Sequence, residues 1–254
     1  MQKGDILNMR KKICTIAVMA LLAGVIILCR MAGEALWNAG AAGESAETAA
    51  GAGNAEGDKE AEERDGAPAR LVVLDPGHGG IDGGKIGVNG AEEKEVNLKI
   101  SLLTKELLEK EGISVEMTRE ADERLANTQV GDLKERVRIM NERKPALVVS
   151  IHQNSYHEEG VSGAQVFYYT DSSEGKKAAE IIQECLRELD PENTKEAKAN
   201  NTYYILKKTE VPVVIAECGF LSNYSDAEKL VDEEYQGELA AAVTKGVLQY
   251  IEGY

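Results

Sequence analysis

Five short runs of branched or aromatic apolar residues, LVVL (71–74), ISVEM (113–117), ALVVSI (146–151), AQVFYY (164–169) and VPVVIA (211–216), punctuate the chain beyond residue 70. Each is too short for a helix and the right length for a largely buried strand. Between them lie stripes with helical spacing. Val96, Ile100, Leu103 and Leu107 form one, and Leu133, Val137 and Met140, ahead of Pro145, form another. Ala178, Ile181, Cys185 and Leu189 outline a third, and Leu239, Ala242, Val243, Gly246, Val247 and Tyr250 a closing one. Strands alternating with amphipathic helices predict an α/β domain over residues 70–254, a largely parallel twisted sheet flanked by helices.

The first 69 residues read differently. Arg10, Lys11 and Lys12 precede an apolar run over residues 13–29, at the short end of a membrane span. The run is longer than the apolar core of a removable signal and ends in Leu28, Cys29 and Arg30, without small residues for cleavage. Residues 1–30 are therefore expected to be a retained single-pass anchor, with the rest of the chain on the extracytoplasmic side of the cell membrane. The bulky residues before Cys29 also argue against a lipidated cysteine. Residues 31–69 are mostly Ala, Gly and Glu and cannot bury enough surface to offset chain entropy, so they are expected to be a disordered tether. Nine acids against Lys59 and Arg64 there account for nearly half of the net charge of −15. That acidity argues against a nucleic-acid partner, since phosphate-backbone affinity comes mainly from Lys and Arg. Cys14, Cys29, Cys185 and Cys218 have no CxxC spacing, which indicates neither a disulfide framework nor a thiolate metal site.

Polar residues gather where the strands end. His78 stands four residues past the first strand in the turn DPGHGG, His152 directly follows ALVVSI, and Glu217 directly follows VPVVIA. Glu93 opens the helix that carries Val96. In open α/β sheets the C-terminal strand edge is where ligands bind, so these distant residues can converge there. Two imidazoles and a carboxylate hold a catalytic zinc with one position left for water, and a second carboxylate outside the set can carry the proton. Glu217 has the chemistry for that second role. Each residue also has a plainer reading: loop histidines, a helix-capping Glu217, and a solvated run Glu92, Glu93, Glu95 favoured by the helix dipole.

VVLDPGHGG, EEKEVNL, VVSIHQN and VPVVIAECGFLSN follow one another in this order across the whole domain. With these motifs the chain resembles the zinc-dependent N-acetylmuramoyl-L-alanine amidases of the type 3 family. The resemblance implies one Zn²⁺ held by His78, Glu93 and His152, with Glu217 as the catalytic glutamate. It also implies a peptidoglycan substrate, cut between the lactyl group of N-acetylmuramic acid and L-alanine. Among its branches, the membrane-anchored one that acts on the spore cortex is most similar, through the anchor, the lack of wall-binding repeats and the stretch NNTYYILKK. Asn201, Tyr203 and Leu206 resemble that branch's substrate-facing segment, an edge strand being the plainer reading. The short connection between His152 and Ala164 leaves no room for the autoinhibitory helix of some relatives. Gln153 stands where a small residue is common, which bears on subsite shape. His157 reads as an exposed loop residue, and Arg119 and Arg136 as either anchors for a stem-peptide carboxylate or structural ion-pair partners. An activating protein partner, a zinc peptidase acting within the stem peptide and a non-catalytic wall-binding module stay open as alternatives.

Overall fold

The computed structural model describes residues 70–253. The expected anchor and tether, 1–30 and 31–69, lie outside the described residues. Among the described residues no helix is long and apolar enough to cross a membrane.

The domain is a six-stranded sheet between two layers of helices. In chain order the elements are β1 (Leu71–Pro76), α1 (Glu93–Lys110), β2 (Ser114–Met117), α2 (Gln129–Arg143), β3 (Leu147–Asn154), β4 (Gln165–Tyr169), α3 (Ser173–Leu189), β5 (Lys198–Asn200), α4 (Tyr204–Lys208), β6 (Val213–Phe220), α5 (Tyr224–Val231) and α6 (Glu233–Glu252). The strand order is β2-β1-β3-β6-β4-β5. Helix starts are marked by capping side chains: Thr128, Ser172, Asn223 and Asp232 each accept a hydrogen bond from a first-turn amide.

Alternate residues of each strand face opposite helix layers. Val72, Leu74, Leu147, Val149, Ile151, Val214 and Ala216 pack with Val96 and Ile100 of α1, Ile182 and Leu186 of α3 and Val243 and Val247 of α6. The opposite face is smaller, with Val73, Val148, Val213 and Ile215 against Val137 and Met140 of α2 and Ile205 and Leu206 of α4. Asp75, His152 and Glu217 share the strand parity of this second face.

The sheet is mixed, which corrects the largely parallel expectation. β2, β1, β3 and β6 run parallel, but β4 is antiparallel to β6, and β5 is parallel to β4. The cause is the connection from β3 to β4, which holds no helix. A parallel crossover needs a dozen or more residues, usually including a helix, so this short link reverses the chain. Two strands also run further than expected. β3 continues through His152 to Asn154 and β6 through Glu217 to Phe220, so both site residues lie within strands, paired in register as His152 and Glu217.

A candidate metal centre at the sheet edge

The parallel strands β1, β3 and β6 end on one side, and the four expected site residues meet there. His78, Glu93 and His152 each offer a ligand atom, all within 4.8 Å of one another. His78 Nε2 lies 3.3 Å from Glu93 Oε2, and His152 Nδ1 lies 3.0 Å from Glu93 Oε1. Glu93, not Glu92 or Glu95, is the carboxylate in the cluster. Glu92 turns to Lys94 and Glu95 is exposed. Backbone amides fix both Glu93 oxygens, Lys85 N donating to Oε2 at 2.8 Å and Gln153 N to Oε1 at 3.1 Å.

Glycines and arginines set the geometry around this cluster. Gly77 lies so close beneath the His152 ring that a Cβ there would overlap it. His78 itself has a left-handed backbone, φ 62°, which a non-glycine residue adopts only when its surroundings enforce it. Arg136 Nη2 donates to the His78 carbonyl at 2.6 Å, and Arg119 Nη2 to the Gly77 carbonyl at 3.0 Å. Arg136 is fully buried, bonded also to Asp75 Oδ1 at 2.6 Å and Asp132 Oδ2 at 2.7 Å. Arg119 is buried too, with Nε donating to the Pro76 carbonyl. Both arginines thus staple the DPGHGG turn from within, which decides between their two readings: neither faces a stem peptide.

The second nitrogen of His78 is held as well. Gly79 and Asp82 bond to each other's backbones, and this small hairpin brings Asp82 Oδ1 to 3.1 Å from His78 Nδ1. A carboxylate on the far nitrogen fixes the tautomer that leaves Nε2 free for a metal. Asp82→Asn is therefore expected to weaken metal binding about 10- to 100-fold, measured by titrating zinc in competition with a chelating dye. An unchanged affinity would remove Asp82 from this role.

The electrostatics follow from burial and proximity. Burial opposes the charge on Glu93, yet hydrogen bonds from His152 and His78 hold it far below the usual carboxylate range. Burial works against a charged His78, but Glu93 and Asp82 outweigh it and raise its pKa. Glu217 behaves oppositely. It is buried, Oε2 has no hydrogen-bond partner, and burial, with the charge of Glu93 adding to it, pushes its pKa up to about 7 against the pull of the histidines.

Glu217 and His152 form one wall of a cleft of about 210 Å³ whose other residues are Leu133, Tyr203, Tyr204, Ile205 and Ile215. The Tyr203 ring packs edge-on against Phe167 at 5.6 Å, and its amide is fixed by Asn200 Oδ1. Of the three residues in the NNTYYILKK stretch, Tyr203 alone lines this cleft. Asn201 is exposed in the loop after the edge strand β5, which ends at Asn200, and Leu206, within α4, is buried in the core, so the three residues do not share one face of the cleft. Gln153 turns inward and donates to Asn97 Oδ1 at 3.1 Å, so its size does not shape the cleft. His157 is an exposed loop residue beside Glu158. Asp75, Asn97 and Asp82 support the site without having been singled out in the sequence.

Two imidazoles and a carboxylate at the carboxyl edge of an α/β sheet, beside a buried carboxylate with an unused oxygen, define a candidate metal-dependent hydrolase. The comparisons with known proteins then fix the family. Residues 72–249 match the family model described as N-acetylmuramoyl-L-alanine amidase, and the chain belongs to that family of enzymes. It is 37% identical over 189 residues to the germination-specific N-acetylmuramoyl-L-alanine amidase of Bacillus subtilis (strain 168), covering 71% of this chain and 79% of that protein. It is 30% identical over 225 residues to the N-acetylmuramoyl-L-alanine amidase AmiA of Escherichia coli (strain K12), covering 71% and 76%. Among solved structures, the CwlD amidase of Clostridioides difficile, determined in complex with the GerS lipoprotein, superposes with a TM-score of 0.69 at 36% identity, covering 72% of this chain and 98% of that one.

Proposed function

We propose that this enzyme is a zinc-dependent peptidoglycan hydrolase that cuts the amide joining the lactyl group of N-acetylmuramic acid to the L-alanine of the stem peptide. We place it on the outer side of the cell membrane, anchored by residues 13–29, in cell-wall or spore-cortex remodelling. The observation that carries the reading is the unpaired oxygen of buried Glu217 beside the cluster of His78, Glu93 and His152. The donor set suits zinc: two nitrogens and one carboxylate, with the far nitrogen of His78 already satisfied by Asp82. Zinc bound there supplies Lewis-acid polarisation of the amide carbonyl and eases deprotonation of water. Glu217 takes the proton from the attacking water and returns it to the L-alanine nitrogen as the C–N bond breaks. Burial strengthens the hold of Glu217 on a proton, which suits both transfers. The spore-cortex context leans on the germination-specific relative, and an activating protein partner on the neighbour solved with a lipoprotein.

The test is to incubate the protein with purified peptidoglycan, with and without a zinc chelator, and identify the products by mass spectrometry. Expected are intact stem peptides with a free L-alanine amine, abolished by the chelator and restored by zinc. Shortened peptides still attached to the sugar would instead make it a peptidase, and a zinc-loaded protein that binds peptidoglycan without cleaving it would be a binding module.

A further inference from the structure

β1 stops at Pro76 while β3 runs on to Asn154, and Glu93 fills the step between them. The Gly77 amide is the last to bond across, to the Ile151 carbonyl, so the next amide of β3 on that side, Gln153 N, has no strand beside it. It donates instead to Glu93 Oε1 at 3.1 Å. Side chains alternate along a strand, so Gln153 points to the face opposite His152, toward α1. There its Nε2 donates to Asn97 Oδ1 at 3.1 Å. Asn97 stands one helical turn after Glu93 on the buried face of α1, and its Nδ2 donates to the Gly77 carbonyl at 3.1 Å and to Glu93 Oε1 at 3.4 Å. Gln153, Asn97 and Glu93 thus form a closed, buried ring of hydrogen bonds.

The ring admits one arrangement of its amides. The two groups facing Asn97 Nδ2, a carbonyl and a carboxylate, only accept, so the nitrogen must face them and Oδ1 must face Gln153. That oxygen needs a donor, which settles the Gln153 amide with Nε2 toward it. Gln153 Oε1 is then stranded, sealed from solvent without a hydrogen-bond partner among the described residues. The weakly donating thiol of Cys218 beside it turns to the Ala216 carbonyl at 3.7 Å. Packing alone gains nothing from a stranded acceptor, since apolar side chains of the same shape would fill the space without it. What the pair provides is a fixed plane for the Glu93 carboxylate and a fixed Gly77 carbonyl next to His78. We propose that Gln153 and Asn97 are positioning residues that together preset Glu93 as a metal ligand, so that zinc binds without first reorienting the carboxylate. This rests on the zinc reading above.

The test measures two quantities on the full chain: zinc affinity, by competition with a chelating dye, and the thermal midpoint of the chelator-stripped protein. Replacing both amides, Asn97→Leu with Gln153→Met, orphans no partner, because the Gly77 carbonyl keeps Arg119 and Glu93 Oε1 keeps the backbone amide of residue 153. It also removes the stranded oxygen. The metal-free midpoint is therefore expected to hold or rise while zinc affinity falls about 10- to 100-fold. Gln153→Met alone is the milder change. It frees the Asn97 amide to turn and should weaken zinc binding by less than the double variant does. Unchanged zinc affinity in either variant, or a double variant in which affinity falls only together with the metal-free midpoint, overturns the proposal while the wild type's own zinc binding leaves the metal reading intact. A wild type that binds no zinc overturns the reading on which it stands.

Discussion

Glu217→Gln is expected to lower kcat by about 10²- to 10⁴-fold, the usual contribution of a general acid-base group, with zinc content unchanged. The substitution keeps shape and hydrogen-bonding atoms but removes the proton acceptor, so residual activity near that of the wild type would exclude Glu217 as the base. It should also stabilise the metal-free protein. The pKa of Glu217 rises from 4.5 to about 7, foremost through burial. A carboxyl group whose folded pKa is raised favours folding below its unfolded pKa, and the folded state loses that advantage as pH climbs through the folded value. The rise corresponds to about 3 kcal/mol, so between pH 4.5 and 8 the chelated wild type should lose up to about that much stability relative to Glu217→Gln, read by urea denaturation. A bound dication beside the carboxylate lowers its pKa, so the acid limb of the pH–rate profile should lie at or below pH 7, with activity rising as Glu217 deprotonates. The same burial that would suit Glu217 to the proposed role of base makes it a destabilising residue in the metal-free protein.

Parts of this site were legible in the sequence because they depend on local pattern. His78 sits in a turn rich in glycine, and His152 and Glu217 end apolar runs whose length already marks them as strands. Glu93 was separable from Glu92 and Glu95 only by the family's motif. What separates them physically is the register of α1, which buries Glu93 with Val96 and Asn97 and leaves Glu95 in solvent. The reversal of β4 was signalled by a link too short for a crossover helix, a length read only as the absence of an extra helix. The inward turn of Arg136 was signalled too. Asp132, Arg136 and Met140 recur at intervals of four and share the buried face of α2. Charged residues on a core stripe read as exceptions to amphipathicity until their partners are known, and those partners, Asp75 and the His78 carbonyl, come from far away in the chain. Asp82 was invisible for the same reason. Its place beside His78 depends on where a turn folds back, which no spacing specifies.

The other large effect is expected from Arg136→Met, which should destabilise the protein by about 3–5 kcal/mol at pH 7, the usual cost of removing one partner from a buried ion pair. Asp75 is completely buried, and Arg136, with hydrogen bonds from Ser150 and Thr118, holds its pKa below the usual value despite that burial. In the wild type this lowered pKa stabilises the fold above the unfolded pKa of Asp75, and the contribution is lost as pH falls through the folded value. Without the guanidinium, burial dominates and the folded pKa of Asp75 rises above its unfolded value, so the sign reverses and the variant is penalised at neutral pH but not in acid. The gap between variant and wild type should therefore narrow as the pH of a urea titration is lowered from 7 towards 4. A loss below 1 kcal/mol at pH 7, or a gap that does not narrow, would show that the pair is not what holds this part of the sheet. The double substitution Arg136→Met with Asp75→Asn separates charge from architecture. It removes one of the two carboxylates left stranded, Asp132 being the other, and should recover part of the stability, yet His78 still lacks the donor that bonds its carbonyl in the left-handed turn. Zinc affinity should accordingly stay reduced in the double variant even where stability returns, because the metal centre depends on the shape of that turn.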